Sequence, residues 1–171
     1  MFFPIMIDVE KFNILVAGGG KIAYRKVKRL LEYGGNVTVV SLDFCSEIKE
    51  LEKITAQKTE NLQEANLTLL KKEFEIEDLK GYNIVFAATD NIEVNRSIAD
   101  YCNNEKIPVN SVDNHRNSSF INMGFFETEI EDNKTIVAVS SMGKSPKNTK
   151  KIKEEIEEFI ENREECLNKN L

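Results

Sequence analysis

Gly18, Gly20 and Ala23 follow the spacing G-x-G-x-x-A within VAGGGKIAYRK, directly after the apolar run FNIL. Three successive glycines give up side-chain packing, so this stretch requires bare backbone. A diphosphate makes that requirement. The first glycine allows a tight strand-to-helix turn, the second lets main-chain N–H groups reach the phosphates, and the small third residue lets the helix lie close to the sheet. The positive end of the helix then faces the anion. The spacing alone also describes a tight turn without a ligand; its place between a strand and a helix favours a dinucleotide. An acid near the end of the second strand should meet the adenosine ribose. Asp43, in VVSLDF, is the nearest, and it serves equally well as the N-cap of the next helix. No Arg or Lys adjoins it in sequence, which favours NAD over NADP.

Two more runs bring chemistry to strand ends: FAATDN and NSVDNH. The small Ala88 and Thr89 let a cofactor approach the backbone, while Asp90 reads as a helix cap paired with Glu93. Asp113 ends a buried strand beside the cleft, where a carboxylate can transfer a proton, or it merely fixes its own turn. Asn110 lies on the substrate side of the same run. His115 is the single histidine and makes no metal site alone. It is either a plain loop residue or, with Asp113, a contact for a ligand.

These residues need a scaffold that delivers strand ends to one crevice. Short apolar runs alternate with helical patterns, the βα rhythm of a parallel sheet. The pattern predicts strands near 13–17, 36–40, 67–71, 83–87 and 108–112. It predicts a helix over 22–33 ending at Gly34-Gly35, a weaker one over 43–55, and one from Asp90 to about Asn104 with Ile92, Ile98, Ala99 and Cys102 inward. Beyond Val112 two β-rich runs, 120–130 and 135–140, read as an antiparallel hairpin. Its apolar residues Phe125, Phe126, Ile136 and Val137 and its free edge are ordinarily covered by a second subunit. Ser145-Pro146 then opens a helix with Ile152, Ile156, Phe159 and Ile160 on one stripe. The expected organisation is a Rossmann-type α/β domain over 1–114, a hairpin region over 115–145 and a C-terminal helix over 146–171.

Composition narrows the function. The 171 residues carry 23 Lys and Arg against 29 Asp and Glu, a formal net charge of -6, which argues against a general nucleic-acid binder. Cys45, Cys102 and Cys166 fit neither a disulfide framework nor a zinc site, so reduced thiols in a cytoplasm are expected. The opening MFFPIMIDVE resembles neither a signal peptide nor a membrane span.

Taken together, PIMIDVEKFNILVAGGGKIAYRKVKRLLEYGGNVTVVS, FAATDNIEVN, NSVDNHRNSSFI and IVAVSSMGKSP resemble precorrin-2 dehydrogenase, the NAD-dependent module also found at the N-terminus of sirohaem synthases. The likeness runs from about Phe3 to Pro146. It implies a Rossmann domain, a dimerisation hairpin and thus a homodimer, and a helical C-terminal part. It also implies oxidation of precorrin-2 to sirohydrochlorin with NAD and, in some members, ferrous-iron insertion. The resemblance places NAD contacts on Gly18, Gly19, Gly20, Lys21, Ile22, Leu42 and Asp43, the essential aspartate on Asp113, and a serine phosphorylated in a relative on Ser141. Met142 and Lys144 depart from the smaller residues common in relatives, and FINMGF lacks an expected proline. After Pro146 the sequence runs only to Leu171, which is too short for the helical domain that the resemblance implies. Part of the tetrapyrrole pocket and the chelatase activity are then unaccounted for.

The last helix carries Lys144, Lys147, Lys150, Lys151 and Lys153 near its start and glutamates toward its end, opposite to the preference of the helix dipole. The pattern is either a solvated charged face or, with Arg116, a basic patch for the eight carboxylates of a tetrapyrrole. Two rivals remain open on sequence: a bifunctional dehydrogenase and chelatase, and a non-catalytic NAD-binding regulatory domain.

Overall fold

The computed structural model describes residues 2–57, 65–130 and 133–168, with side chains described as far as residue 162 in the last helix. Two units are distinct, one from Phe3 to Phe120 and the other from Ile121 onward.

In the first unit β1 (Asn13–Ala17), β2 (Asn36–Ser41), β3 (Asn66–Lys71), β4 (Ile84–Ala87) and β5 (Val109–Ser111) form an all-parallel sheet in the order β3-β2-β1-β4-β5. This is the Rossmann-type arrangement. The order reverses between β1 and β4, so a crevice opens beyond their carboxyl ends. The last four residues of β1 and all four of β4 are buried, as expected of central parallel strands covered on both faces. One face packs Ile14, Val16, Val39 and Phe86 against α1 (Lys21–Glu32) and α2 (Ser46–Ala56), through Ala23, Val27, Leu31 and Ile48. Burying each large aliphatic side chain there contributes about 1.5–3 kcal/mol. The other face packs Leu15, Ala17, Val85 and Ala87 against Ile98, Ala99 and Cys102 of α3 (Ile92–Glu105). Burial raises the Cys102 thiol to about 12, so it stays an inert core thiol at neutral pH. Helix α1 ends as its sequence suggests: Gly34 has φ +76°, and the N–H groups of Gly34 and Gly35 return to Leu31 O and Leu30 O.

Several expectations are corrected. Helix α3 is capped by Asn91, whose side chain accepts from Glu93 N and Val94 N, and not by Asp90. Ile92, the first residue of α3, is 69% exposed, and the inward position belongs to Asn95. Helix α2 starts at Ser46 with Cys45 as its N-cap residue, so Asp43 does not cap it. The run at Phe120 is not yet hairpin: Ser119 N donates to Val109 O at 2.9 Å, which lays this segment back along β5. The 3-10 turns Val9–Lys11, Ile76–Leu79 and His115–Asn117 were not anticipated.

The second unit is a two-stranded antiparallel sheet of β6 (Gly124–Ile130) and β7 (Asn133–Val139), closed at the pair Ile130↔Asn133, followed by α4 (Pro146–Asn168). Strand β7 starts two residues before the expected run; Glu131 and Asp132 lie outside the described residues. Ser145 and Pro146 open the helix as expected, with Ser145 Oγ accepting from Asn148 N at 3.3 Å. The hairpin was expected to need a second subunit as cover. Helix α4 covers one side of it: Phe126 is buried, and Lys153 Nζ sits 5.2 Å from its ring centre. Phe159, expected on the packed stripe, is 66% exposed.

Candidate active site

The glycine turn is held by main chain on both flanks. Gly18 N donates to Val40 O at 2.9 Å, and Cys45 N donates to Gly19 O at 2.8 Å. Gly18 has φ +113°, and a Cβ there would strike the Ala88 carbonyl; a Cβ on Gly19 would strike the Asp43 carbonyl. Both glycines are therefore required by the fold itself. Gly20 differs: its backbone is extended, and a Cβ there would meet nothing within 4 Å. It is the N-cap residue of α1, with no side-chain cap and no acid in the first turn. The N–H groups of the first turn lack intrahelical acceptors by geometry, and the space beside Gly20 is open. That arrangement fits a diphosphate. Lys21 and Ile22 stand exposed beside it.

Beyond β2, Leu42 and Asp43 are exposed. The Asp43 carboxyl is held below its ordinary range, first by the main-chain N–H of Phe44 and then by Lys49, whose Nζ is 3.2 Å from Oδ1. Sequence reasoning saw no cation beside Asp43. Helix α2 brings one from six residues on, and Lys71 adds a weaker field. The β2 end of the crevice is thus of mixed charge.

Beyond β4, Ala88 N donates to Ala17 O at 2.8 Å, which keeps the chain against β1. The next residue, Thr89, is bonded to Asn95 of α3, a residue the sequence reading passed over because it is polar.

Beyond β5, Asp113 sits on an exposed loop whose base is stapled. Ser111 N donates to Ser118 Oγ at 2.8 Å, and Val109 N donates to Ser119 Oγ at 2.8 Å. Ser111 Oγ donates to Asp113 Oδ1. Val112 N returns to Ala87 O at 3.0 Å, so Asp113 leaves the sheet one strand away from Ala88. His115 and Arg116 lie exposed in the following 3-10 turn, which Asn114 caps through Arg116 N. Asn110 is buried and both ends of its amide are used: Oδ1 accepts from Lys26 Nζ, and Nδ2 donates to Phe120 O. Lys26 also lies 5.4 Å from the centre of the Phe86 ring, and burial lowers its pKa.

In the second unit Ser141 Oγ is enclosed: it donates to Ser145 O, and accepts from Ser145 N at 3.0 Å and from Thr149 Oγ1 at 2.8 Å. Lys150, Lys151 and Lys153 pair with Glu154, Glu155 and Glu157, one turn on. Lys144 and Lys147 make no ion pair among the described residues. No cluster of three His, Cys, Asp or Glu that could hold a metal exists among the described residues. No described helix is long and apolar enough to cross a membrane.

A family model described as putative NAD(P)-binding matches residues 5–123. A siroheme synthase of Nitrosospira multiformis is 38% identical over 159 residues, which are 93% of this chain and 32% of that protein. A siroheme synthase of Buchnera aphidicola is 32% identical over 162 residues, 95% of this chain and 31% of that protein. The chain thus spans about a third of the length of the curated relatives it matches. The solved structure of SirC, a precorrin-2 dehydrogenase, superposes with a TM-score of 0.73 at 28% identity, covering 91% of this chain and 69% of that one.

Proposed function

Since this chain belongs to the putative NAD(P)-binding family, we propose that it oxidises precorrin-2 to sirohydrochlorin with NAD. The observation that carries the reading is the open Gly20 cradle at the strand-order reversal, one strand from the stapled loop that presents Asp113. The similarity to siroheme synthases and to SirC supplies the substrate class.

Gly18, Gly19 and Gly20, with the N–H groups of Lys21 and Ile22, hold the diphosphate, and Leu42 and Asp43 border the adenosine ribose. Ala88 and Thr89 form the β4 wall. When bound, NAD supplies the hydride acceptor. Asp113 is the general base: Ser111 occupies its Oδ1, leaving Oδ2 to take the proton that the macrocycle releases as a hydride departs elsewhere on the ring. His115 and Arg116, on the same loop, meet substrate carboxylates. Asn110 supports that loop from below through the bonds described above. In the second unit, Lys144 and Lys147 attract the anionic substrate, and exchanging both for Glu is expected to raise its KM. Ser141 shapes the start of α4.

The exposed Met142, Ile152 and Phe159 support a homodimer formed through the second unit. Light scattering on a sizing column tests it. A cytoplasmic location accords with the free Cys45 and Cys102.

Absorbance spectroscopy with precorrin-2 and NAD tests the function. NADH formation that is lost in Asp113→Ala, with NAD binding retained, is expected; no NADH from the unaltered protein refutes the reading. Added Fe²⁺ or Co²⁺ in the same cuvette detects any chelatase.

A further inference from the structure

The side-chain amide of Asn95 is 1% exposed, and all of its hydrogen bonds go to one residue. Oδ1 accepts from Thr89 N at 3.0 Å and from Thr89 Oγ1 at 2.7 Å, while Nδ2 donates to Thr89 O at 3.0 Å. Strand β4 pairs with its neighbours only as far as Ala87, so Asn95 takes over where the ladder ends. It does for Thr89 what an adjacent strand would do.

The peptide it grips forms part of the crevice. A Cβ on Gly18 would meet the Ala88 carbonyl and Thr89 N, so the 88–89 peptide lies directly against the glycine turn. Rotation of that peptide would reshape the wall opposite the cradle. The clamp also commits every polar group of Thr89, since the one hydroxyl hydrogen is shared between Asn95 Oδ1 and Asn91 O, and Oγ1 accepts from Asn91 N. Thr89 then borders a ligand through surface alone.

Helix α3 does not need Asn95 for its own formation, because Asn91 already caps the first turn. An apolar residue would fill a core-facing position more cheaply, as a buried amide costs free energy unless its polar atoms find partners. Here both Oδ1 and Nδ2 have partners, and these lie toward the crevice. We propose that Asn95 is a positioning residue for dinucleotide binding, fixing the Thr89 peptide that walls the glycine cradle. This rests on the dinucleotide reading of that loop.

The test is titration of the full chain with NADH, followed by its fluorescence, well below the melting transition of every variant. Asn95→Ala is expected to weaken NADH binding about ten-fold or more, since three bonds to Thr89 are lost. Asn95→Asp keeps the shape and the acceptor but removes the donor to Thr89 O, and is expected to fall between. Asn91→Ala removes the cap of the same helix, so it should melt earlier yet bind NADH as the unaltered protein does. Unaltered affinity in Asn95→Ala overturns the proposal, as does an equal loss in Asn91→Ala, which would reduce the effect to helix stability. If Asn95→Ala does not fold, Asn95→Asp decides by the same criteria. Absence of NADH binding in the unaltered protein overturns the dinucleotide reading itself, and this proposal with it.

Discussion

Lys26 Nζ donates to Asn110 Oδ1 at 3.1 Å, joining the helix that starts at the glycine turn to the strand that leads to Asp113. The bond spans 84 residues of sequence. Asn110 passes the link on through Nδ2 to Phe120 O, and the Phe120 ring meets Phe86 edge-on with centroids 5.5 Å apart. The two sides of the crevice are therefore tied to each other through the sheet. A half-buried ammonium performs the tie; burial lowers its pKa, and it makes no ion pair among the described residues.

That ammonium should leave a signature in stability. Its folded pKa lies below the 10.5 of the free side chain, so between the two values the unfolded chain binds more protons. Stability gained from relieving this buried charge therefore rises with pH through that window. In urea unfolding, Lys26→Met should lack the rise relative to the unaltered protein; an identical pH profile would refute the assignment. Lys72 acts in the opposite sense. Asp78 and then Glu75 raise it to about 12, so its contribution is lost only as pH climbs through that value.

Gly18 and Gly20 should part company when each is changed to Ala. At Gly18 the positive φ and the Ala88 carbonyl oppose any Cβ, and the loss in stability should reach at least about 2 kcal/mol. At Gly20 the backbone is extended and the space is open, so the melting temperature should hold. The new methyl would instead stand in the open space beside the first-turn N–H groups, and NADH binding should weaken. Equal melting temperatures for the two variants would contradict the geometry.

Cofactor choice should respond to Asp43 and Lys49 in opposite directions. A carboxylate bonded to the ribose hydroxyl contributes about 1.5–3 kcal/mol, so Asp43→Asn should weaken NADH binding by roughly ten-fold or more. Lys49→Ala removes the cation paired with it at 3.2 Å. Binding of NADPH should then weaken further relative to NADH, as judged by the ratio of the two dissociation constants. A ratio unchanged in both variants would remove Asp43 from the ribose site.

What the sequence disclosed and what it hid divide along the range of the interactions. The βα rhythm, the glycine turn, the Gly34 stop and the Ser145-Pro146 start are written in neighbouring residues, and each stands where it was expected. The hidden features join distant residues or mix polar with buried. Periodicity ranked Ile92 inward because it is apolar, yet its place at the first turn of α3 leaves it in solvent. It passed over Asn95, whose burial depends on a partner, Thr89, on another element. Asp43 gained Lys49 only once α2 had formed. The cover that α4 gives Phe126 needed the packing of the hairpin, which its alternation does not specify.

Ser111 supports Asp113 and so provides the sharpest check on the proposed catalytic role of this loop. Its Oγ donates to Asp113 Oδ1, while its main-chain N is held by Ser118 Oγ at 2.8 Å. The serine is fixed by the staple and fixes the carboxylate in turn. Removing the hydroxyl leaves the staple intact, since that bond uses the main chain. With the carboxylate free to rotate, Ser111→Ala should lower kcat about ten- to a hundred-fold, a typical effect of losing one orienting hydrogen bond in the transition state. The KM for NAD and the melting temperature should stay where they were, because neither the glycine cradle nor the core is touched. If kcat is unchanged while Asp113→Ala abolishes turnover, the carboxylate needs no orientation from Ser111. If Asp113→Ala also turns over normally, the aspartate serves its own turn and another group takes the proton.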